Sequence, residues 1–274
     1  MILYFAGNLP VSEPVLHAGG IRSRLLSFAE KNNSGNEPSF VYWIKNKPDD
    51  ATVFLDSGAY GAFTRGATID IPQYASYIRQ SEHHVNAYAS LDVIGDWRGS
   101  ARNYDTMLSL GLHPVPTFHM GSPDHELHRL LKMTDYIALG GVVGARQEDM
   151  QPWLDKCFSI IKDYWPKKTH IFGVMAQWAL ERYPFFSADS SGAVVGGGMG
   201  RITLFENART DNYDWREYAR LRYDGRIMDQ FSNTRSKKSG SAHVERRLIN
   251  IRSQLALQSH ITDVWTMRGV TWNV

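Results

Sequence analysis

The chain has 274 residues, of which 43% are hydrophobic and 21% are charged, and it contains a single cysteine, Cys157. This composition excludes an intrinsically disordered chain, a collagen-like repeat and a small protein stapled by disulfides. The formal net charge of +2 is too close to zero to indicate a polyanionic partner by itself.

Apolar runs are short throughout the chain. None reaches the roughly 18 to 20 residues that a membrane span needs, and the first residues lack the basic flank and long apolar stretch of a secretory signal. We therefore expect a cytoplasmic protein without a membrane partner.

Runs rich in β-formers alternate along the chain with segments of helical period, which is typical of βα units and a parallel sheet. The predicted strands are Ile2–Ala6, Thr52–Leu55, Val85–Leu91, Pro114–Phe118, Tyr136–Leu139, His170–Val174, Phe185–Ala188 and Arg201–Phe205. The predicted helices are Ile21–Glu30, Ile71–Gln80, Ser100–Leu110, His125–Lys132, Asp149–Trp165 and Ala176–Tyr183. The Gly-rich stretch 191–200 is predicted to be too flexible for a helix. Eight strands with crossovers predict an α/β fold, an irregular (β/α)8 TIM barrel, and an open doubly wound sheet is the alternative.

The pattern changes after Asn207 to helical segments rich in Trp, Tyr and Arg, predicted over Asp214–Tyr223 and Ala242–Leu257. We therefore divide the chain into a barrel catalytic domain, residues 1–207, and a helical C-terminal extension, residues 208–274. Within the extension, the run Arg235–Arg252 has six basic residues and one acidic residue, which gives +5 and leaves −3 for the rest of the chain. Charge patterning alone leaves two interpretations of this run open, a solvated face and a nucleic-acid contact.

Three aspartates, Asp56, Asp92 and Asp189, each come directly after an apolar run. In a barrel, the carboxyl ends of the strands meet at one rim, so the three carboxylates are expected in one cavity. A single aspartate at such a position is also common as a turn former or a helix cap.

Close carboxylates push their pKa values apart, so one can remain ionised as a nucleophile while another holds a proton. This division suits substitution at a sugar anomeric carbon through a covalent glycosyl intermediate. The histidines, such as the pair His83 and His84, show no strong metal-ligand spacing, and no metal site is predicted.

Glycines and aromatic residues mark the same predicted rim. Gly140 and Gly141 follow a strand, where the backbone can approach a flat ligand closely, although a tight βα turn explains them equally well. Tyr60 and His119 can contact a base, although packing in the core is the usual role of such residues.

Together these segments resemble the tRNA-guanine transglycosylase superfamily over roughly residues 50 to 205. Asp56-Ser57-Gly58-Ala59-Tyr60 is similar to the family's Asp-Ser-Gly-Gly-Phe-Gln motif. Ala138-Leu139-Gly140-Gly141-Val142 is similar to its Gly-Gly turn, and Phe185-Phe186-Ser187-Ala188-Asp189 to the strand that carries its late aspartate.

The resemblance implies a pentosyltransferase in which Asp189 is the nucleophile at ribosyl C1′ and Asp56 the acid and base. It also implies that Asp92 and the Gly140–Gly141 backbone bind the substrate base, and we expect Ser57, Tyr60 and His119 to contact that base as well. The segment Thr117-Phe118-His119-Met120-Gly121 matches the family's Gln-Gly-Gly segment poorly. No redox cofactor or ATP is implied.

The tRNA enzymes hold zinc with three cysteines and a histidine, and this chain has only Cys157. The chain is therefore more similar to the phage and bacterial 7-deazaguanine DNA transglycosylases, which exchange guanine in DNA for a free base of the preQ0 type. On that basis DNA is the expected partner, with phosphate contacts from Arg235, Lys237, Lys238, Arg246 and Arg247. Two alternatives remain, a zinc-free tRNA-guanine transglycosylase and a barrel hydrolase or lyase that acts on a small metabolite.

Overall fold

One parallel sheet organises the molecule, as seen in a computed structural model that describes residues 1–7, 12–29, 38–226 and 242–272. Within these residues its eight strands are β1 (Ile2–Phe5), β2 (Ser23–Ser27), β3 (Thr52–Asp56), β4 (Ala87–Tyr88), β5 (Thr117–His119), β6 (Tyr136–Gly140), β7 (Lys168–Ile171) and β8 (Ser187–Ser190). Their spatial order is β4-β3-β2-β1-β8-β7-β6-β5. The two edges meet through a parallel bridge between Ala89 and Val115. The sheet is therefore an irregular (β/α)8 barrel, as predicted, and the open doubly wound sheet is excluded.

Helices follow the strands on the outside of the barrel. They are α1 (Glu13–Ala18), α2 (Ser39–Asn46), α3 (Ala59–Thr64), α4 (Ile71–Ser81), α5 (Trp97–Ser109), α6 (Asp124–Met133), α7 (Gln147–Ile161), α8 (Gln177–Arg182), α9 (Gly192–Gly198), α10 (Trp215–Tyr223) and α11 (Ala242–Met267). Short 3-10 turns lie at Glu82–His84 and Lys162–Tyr164.

Helix α4 illustrates how the sequence sets these elements. The Asp70 carboxylate accepts a hydrogen bond from the Gln73 N–H, and Pro72 lies in the first turn, where it costs no helical hydrogen bond. Tyr74 and Ile78, four residues apart, lie on the buried face. This packing brings Tyr74 beneath the carboxyl ends of β3 and β4, where its hydroxyl donates to the Ala89 carbonyl at 2.9 Å.

Side chains from alternate strand positions fill the inside of the barrel. Tyr4, Phe54, Tyr136 and His170 meet there, and the ring centroids of Phe54 and His170 lie 4.9 Å apart. A larger hydrophobic core lies between the sheet and the surrounding helices. Because the interior is packed, a substrate can reach the barrel only at its ends.

The predicted helix Ile21–Glu30 is wrong, since strand β2 occupies Ser23–Ser27. Its Leu25 points into the barrel and Leu26 points to the helices, the alternation of a strand. Arg24 is fully buried against α1, where its guanidinium pairs with Glu13 and also donates to the Phe5 carbonyl. Pairing with the two neighbouring strands overrides the helix propensity of the segment.

The predicted eighth strand is also wrong as a barrel strand. It forms β9 (Arg201–Glu206), which pairs antiparallel with β10 (Arg209–Asp214) in a separate hairpin. The predicted domain boundary after Asn207 falls in the turn of this hairpin, where Asn207 and Ala208 have φ of 51° and 59°. The barrel sheet itself ends at Ser190. The other seven predicted strands each overlap an observed strand, with ends displaced by at most three residues.

The Gly-rich stretch forms helix α9, which contradicts the predicted flexible loop. Its glycines permit close packing on α11. A Cβ at Gly197 would lie only 3.0 Å from the backbone nitrogen of Arg247 and 3.1 Å from the Cα of Arg247. Helix α11 continues to Met267, ten residues beyond the predicted end at Leu257. Helices α1, α2 and α3 were not predicted.

Candidate active site

Asp56, Asp92 and Asp189 lie at the carboxyl-terminal rim of the barrel. Asp56 ends β3, Asp189 is the penultimate residue of β8, and Asp92 follows β4 in the chain. Burial and the negative charges of Asp189 and Asp92 together raise the pKa of Asp56 to about 7. The fold thus brings together the three carboxylates that the sequence singled out.

The Asp56 carboxylate is held by the turn that follows β3. It accepts hydrogen bonds from the Gly58 N–H at 3.0 Å and from the Ser27 hydroxyl at the end of β2. Gly58 has φ +77°, and a Cβ there would lie 2.5 Å from both Ala29 Cβ and Ser27 Oγ. Only glycine fits this position, and the Asp-Ser-Gly sequence is explained by that geometry.

Asp189 is oriented from inside the barrel. It is 6% exposed, and its Oδ1 accepts hydrogen bonds from the Gly173 N–H at 2.8 Å and from His170 Nε2 at 3.3 Å. His170 is fully buried, and its Nδ1 lies 2.7 Å from Ser187 Oγ, which lies 2.6 Å from the Tyr136 hydroxyl.

These contacts form one continuous series of hydrogen bonds from Tyr136 to Asp189. Burial raises the pKa of Tyr136 well above its ordinary value, so Tyr136 keeps its proton and can donate to Ser187. Ser187 lies between Tyr136 and His170, and the imidazole of His170 links Ser187 to Asp189. This series fixes the Asp189 carboxylate at the rim.

His119 and Asp92 form a second polar pair. His119 Nε2 lies 3.3 Å from Asp92 Oδ2, and Ser90 Oγ lies 3.4 Å from Asp92 Oδ1. Burial alone lowers the pKa of His119, but the hydrogen bond and the charge of Asp92 outweigh it and raise that pKa above its ordinary value. The pair offers imidazole and carboxyl hydrogen-bonding groups to a ligand.

The Gly140–Gly141 turn packs directly beside this pair. A Cβ at Gly140 would lie 2.7 Å from Thr117 Cγ2, and Gly141 has φ +75°. The Gly140 carbonyl accepts the Met120 N–H at 2.9 Å, next to His119. The glycines are thus explained by close backbone packing, and the turn borders the same part of the rim.

Ser57 and Tyr60, the other predicted base contacts, differ in position. Ser57 is buried, and its Oγ accepts the Ala59 N–H at 3.4 Å, so it stabilises the turn and has little surface for a ligand. Tyr60 lies on α3 and is 54% exposed, and its neighbour Phe63 is 60% exposed. The exposed ring of Tyr60 is available for stacking, and its packing in the core is excluded.

The predicted phosphate contacts are only partly described. Arg235, Lys237 and Lys238 lie outside the described residues. Arg246 is 7% exposed, donates from Nε to the Gly197 carbonyl at 2.7 Å, and stacks on Trp215. This position argues against the predicted phosphate contact, because the Arg246 guanidinium is used to pack α11 on α9 and α10.

Arg247 is partly buried and also contacts α9. Its Nε donates to the Val194 carbonyl at 3.2 Å. Burial and the nearby charge of Arg246 lower the pKa of Arg247 below its ordinary value. Its role in holding α11 is therefore clear from the contacts, and its phosphate contact stays a prediction.

The site residues that were not predicted from the sequence lie inside the barrel and on helix α4. Ser187 lies two positions before Asp189, on the same face of β8, so the alternation of the strand could have placed it. Tyr74 gave no signal as a site residue, although burial and the charges of Asp56 and Asp92 raise its pKa well above its ordinary value.

In the part of the chain that the structure describes, no three His, Cys, Asp or Glu side chains are arranged to hold a metal ion. No helix among the described residues is long and apolar enough to cross a membrane. Neither a family model nor a curated protein matches the chain.

Proposed function

We propose that the chain is a DNA-guanine transglycosylase that exchanges guanine in DNA for a 7-deazaguanine base of the preQ0 type. The observation that carries the proposal is the meeting of Asp56, Asp189 and the Asp92–His119 pair at one end of a barrel. The motifs around Asp56, Gly140–Gly141 and Asp189, which resemble those of guanine transglycosylases, add the substrate class.

The first half of the reaction removes guanine. Asp189, oriented by Gly173 and His170, attacks C1′ of the target nucleotide as the bond between C1′ and N9 breaks. Asp56, whose pKa of about 7 lets it carry a proton near neutral pH, protonates the departing base. The product is a glycosyl ester on Asp189 and free guanine.

The second half installs the new base. Asp56, now ionised, removes the N9 proton of the incoming 7-deazaguanine, and N9 attacks C1′ as the bond to Asp189 breaks. Two displacements at one carbon restore its configuration, and Asp56 regains its proton. Atoms and charges balance without a further reactant.

Base recognition is assigned to Asp92, His119 and the Gly140–Gly141 turn. Asp92 can accept hydrogen bonds from the amino edge of a guanine-like base, and the turn lets the base approach the backbone. In duplex DNA, the target nucleotide must first leave the base stack to reach this rim.

DNA is favoured over tRNA because the cysteines of the tRNA enzymes' zinc site are missing. Cys157 is buried, and burial raises the pKa of its thiol to about 12, so it is unsuited to act as a thiolate ligand.

Mass spectrometry of nucleosides tests the proposal. Duplex DNA and tRNA are incubated separately with the protein and preQ0, and then digested to nucleosides. We expect the 7-deazaguanine nucleoside in DNA only. Its appearance in tRNA alone would establish the tRNA alternative, and an unchanged composition of both polymers would favour chemistry on a small metabolite.

A further inference from the structure

Helix α3 presents two exposed aromatic side chains beside the carboxylates. Tyr60 and Phe63 are both more than half exposed, and because they are three residues apart they lie on the same face of the helix. Ala62, between them in the chain, is buried. Single exposed hydrophobic side chains are normal on a protein surface, whereas neighbouring ones mark a site of interaction.

This face of α3 lies close to Asp56. The helix follows Gly58, whose N–H donates to the Asp56 carboxylate at 3.0 Å. With a rise of about 1.5 Å per residue, all of α3 extends only about 9 Å. Successive bases in stacked DNA are about 3.4 Å apart. A strand whose target nucleotide lies at the carboxylates therefore has its neighbouring nucleotides within reach of Phe63.

Two arginines give the same part of the rim a positive charge. Arg65 directly follows α3, and its Nη2 donates to the Ala29 carbonyl at 3.1 Å. Arg98 lies in the first turn of α5, after the neighbouring strand β4, with its guanidinium carbon 4.6 Å from the centre of the Trp97 ring. Both arginines are exposed, and within the described residues neither forms an ion pair with a carboxylate.

The position of Arg65 is fixed by the backbone around it. A Cβ at Gly61 would lie only 3.1 Å from Arg65 Nη1, so the glycine leaves room for the guanidinium beside α3. The residue whose carbonyl Arg65 contacts, Ala29, also packs against Gly58 in the turn that holds Asp56. The guanidinium therefore lies next to the carboxylate site.

These features favour a strand of nucleic acid as the ligand of this surface. Proteins that bind single strands combine aromatic side chains, on which bases stack, with cationic groups that follow the backbone. An apolar helix face alone would suit many partners. The exposed guanidinium groups of Arg65 and Arg98 beside it complement a polyanion.

We infer that Phe63 stacks on the base of a nucleotide next to the target nucleotide, and that Arg65 contacts the phosphate between the two. The inference rests on the proposed function, which places the target nucleotide at the carboxylates. Once the target has left the base stack, its neighbour has an uncovered face. Phe63 covers this face, as apolar wedges do in proteins that unstack DNA, and so stabilises the open strand.

A double-mutant cycle tests the stacking contact. The ligand is a short fluorescein-labelled single strand of thymidines with one central guanine, and two further strands lack the base either 5′ or 3′ of that guanine. Fluorescence anisotropy measures the affinity of the full chain carrying Asp189→Ala, in which no covalent complex forms. We expect Phe63→Ala to weaken binding of the intact strand at least about fivefold. On one of the two abasic strands it should weaken binding by less than about twofold, because the stacking partner is missing.

The phosphate contact is tested in the same assay. Arg65→Gln keeps a donor for the Ala29 carbonyl but loses the charge, and it should lower the slope of log affinity against log salt by about 0.7, the value for one phosphate of a single strand. The control is Leu110→Ala, an exposed apolar position after α5 at the opposite end of the barrel, which should change neither affinity nor slope. Thermal unfolding establishes that each variant is folded.

The stacking contact would be overturned if Phe63→Ala had no effect on DNA binding, if its effect were equal on all three strands, or if it weakened only the corresponding RNA strand. An unchanged salt slope in Arg65→Gln would overturn the phosphate contact. Failure of the inference is distinguishable from failure of the proposed function. Base exchange in DNA together with any of these results removes only the inference, whereas the expected cycle without detectable exchange supports the strand-binding surface and removes only the reaction.

Discussion

At the level of the single residue, Asp56 has a fixed carboxylate and a raised pKa. Its carboxylate is fixed by Gly58 and Ser27, and its pKa is raised to about 7 by burial and by two neighbouring carboxylates. An acid that holds its proton near neutral pH can also release it there, which general acid–base catalysis requires.

The first prediction concerns the pH dependence of base exchange. The rate of guanine exchange should depend on an ionisation near pH 7, and Asp56→Asn should remove that dependence. The rate should fall by about 10²- to 10⁴-fold, which is the usual contribution of a general acid or base. Exchange of labelled guanine, followed from pH 5 to pH 9, measures both effects. An inflection that persists in Asp56→Asn would assign the ionisation to another group.

The second prediction concerns stability. Asp56 titrates near its ordinary value of 3.8 in the unfolded chain and near 7 in the folded protein. Between these values the folded state binds more protons, so the free energy of unfolding contributed by Asp56 falls as pH rises from about 4 to 7. The loss is on the order of 3 kcal/mol, by the cost of one pKa unit.

Urea unfolding at pH 4, 5, 6 and 7 tests this sign. The wild-type protein should lose stability relative to Asp56→Asn across that interval, and the variant should be the more stable at pH 7. A difference between the two proteins that does not change with pH would contradict the raised pKa.

The sequence could predict Asp56, Asp92 and Asp189, because an aspartate directly after an apolar run is visible without any knowledge of strand pairing. It could not predict the series of hydrogen bonds that runs from Tyr136 through Ser187 to His170. Those residues meet only because β6, β7 and β8 are neighbours, and β7 has to align with β8 so that His170 pairs with Ser187. Such a contact depends on register, which the local sequence does not specify.

At the level of elements, α11 completes the edge of the β9–β10 hairpin. Asn250, 1% exposed, accepts the Thr203 N–H at 2.8 Å and donates to the Arg201 carbonyl at 3.1 Å. Side chains of a helix here satisfy backbone groups that a further strand would otherwise pair. This explains why a segment with the composition of a barrel strand forms a hairpin outside the barrel.

The third prediction is that Asn250→Leu lowers the free energy of unfolding by about 2 to 3 kcal/mol, because buried backbone groups lose their partners. Ser259→Ala, at an exposed position of the same helix, is the control and should change it by less than about 0.5 kcal/mol. Chemical denaturation measures both. Equal effects of the two substitutions would show that Asn250 is not holding the hairpin.

Element types were predictable where one residue pattern dominates, as in α4 and α6. They were not predictable where tertiary packing decides. Strand β2 has the residues of a helix and is a strand because β1 and β3 flank it. Helix α9 has the residues of a loop and is a helix because Gly197 allows α11 to pack closely.

At the level of the whole molecule, the basic residues are unevenly distributed, with +5 between Arg235 and Arg252 and −3 elsewhere. Arg246 is used in packing α11, so the phosphate contacts expected for this run depend on Arg235, Lys237, Lys238 and Arg247. Contacts with phosphate position a nucleic acid without specifying a base.

The fourth prediction is therefore that Lys237→Ala with Lys238→Ala weakens DNA affinity, lowers the slope of log affinity against log salt by about 2, and leaves the choice of base unchanged. The control is Lys132→Ala with Lys162→Ala, exposed positions at the carboxyl ends of α6 and α7, away from the rim. Fluorescence anisotropy with labelled duplex at several salt concentrations measures both slopes. Equal slopes for the two double variants would remove this run from the DNA interface.

In the proposed reaction, Asp189 becomes covalently attached to the sugar of the target nucleotide. A trapping experiment can detect this intermediate: protein and duplex DNA are mixed without an incoming base, denatured, and analysed for a covalent complex by mass spectrometry. We expect the complex with the wild-type protein and with Asp163→Ala, an exposed aspartate after α7 that serves as control. Asp56→Asn should form it slowly and resolve it slowly once preQ0 is added, and Asp189→Ala should form none. A complex that persists in Asp189→Ala, or exchange of labelled guanine by that variant at the native rate, would contradict the claim.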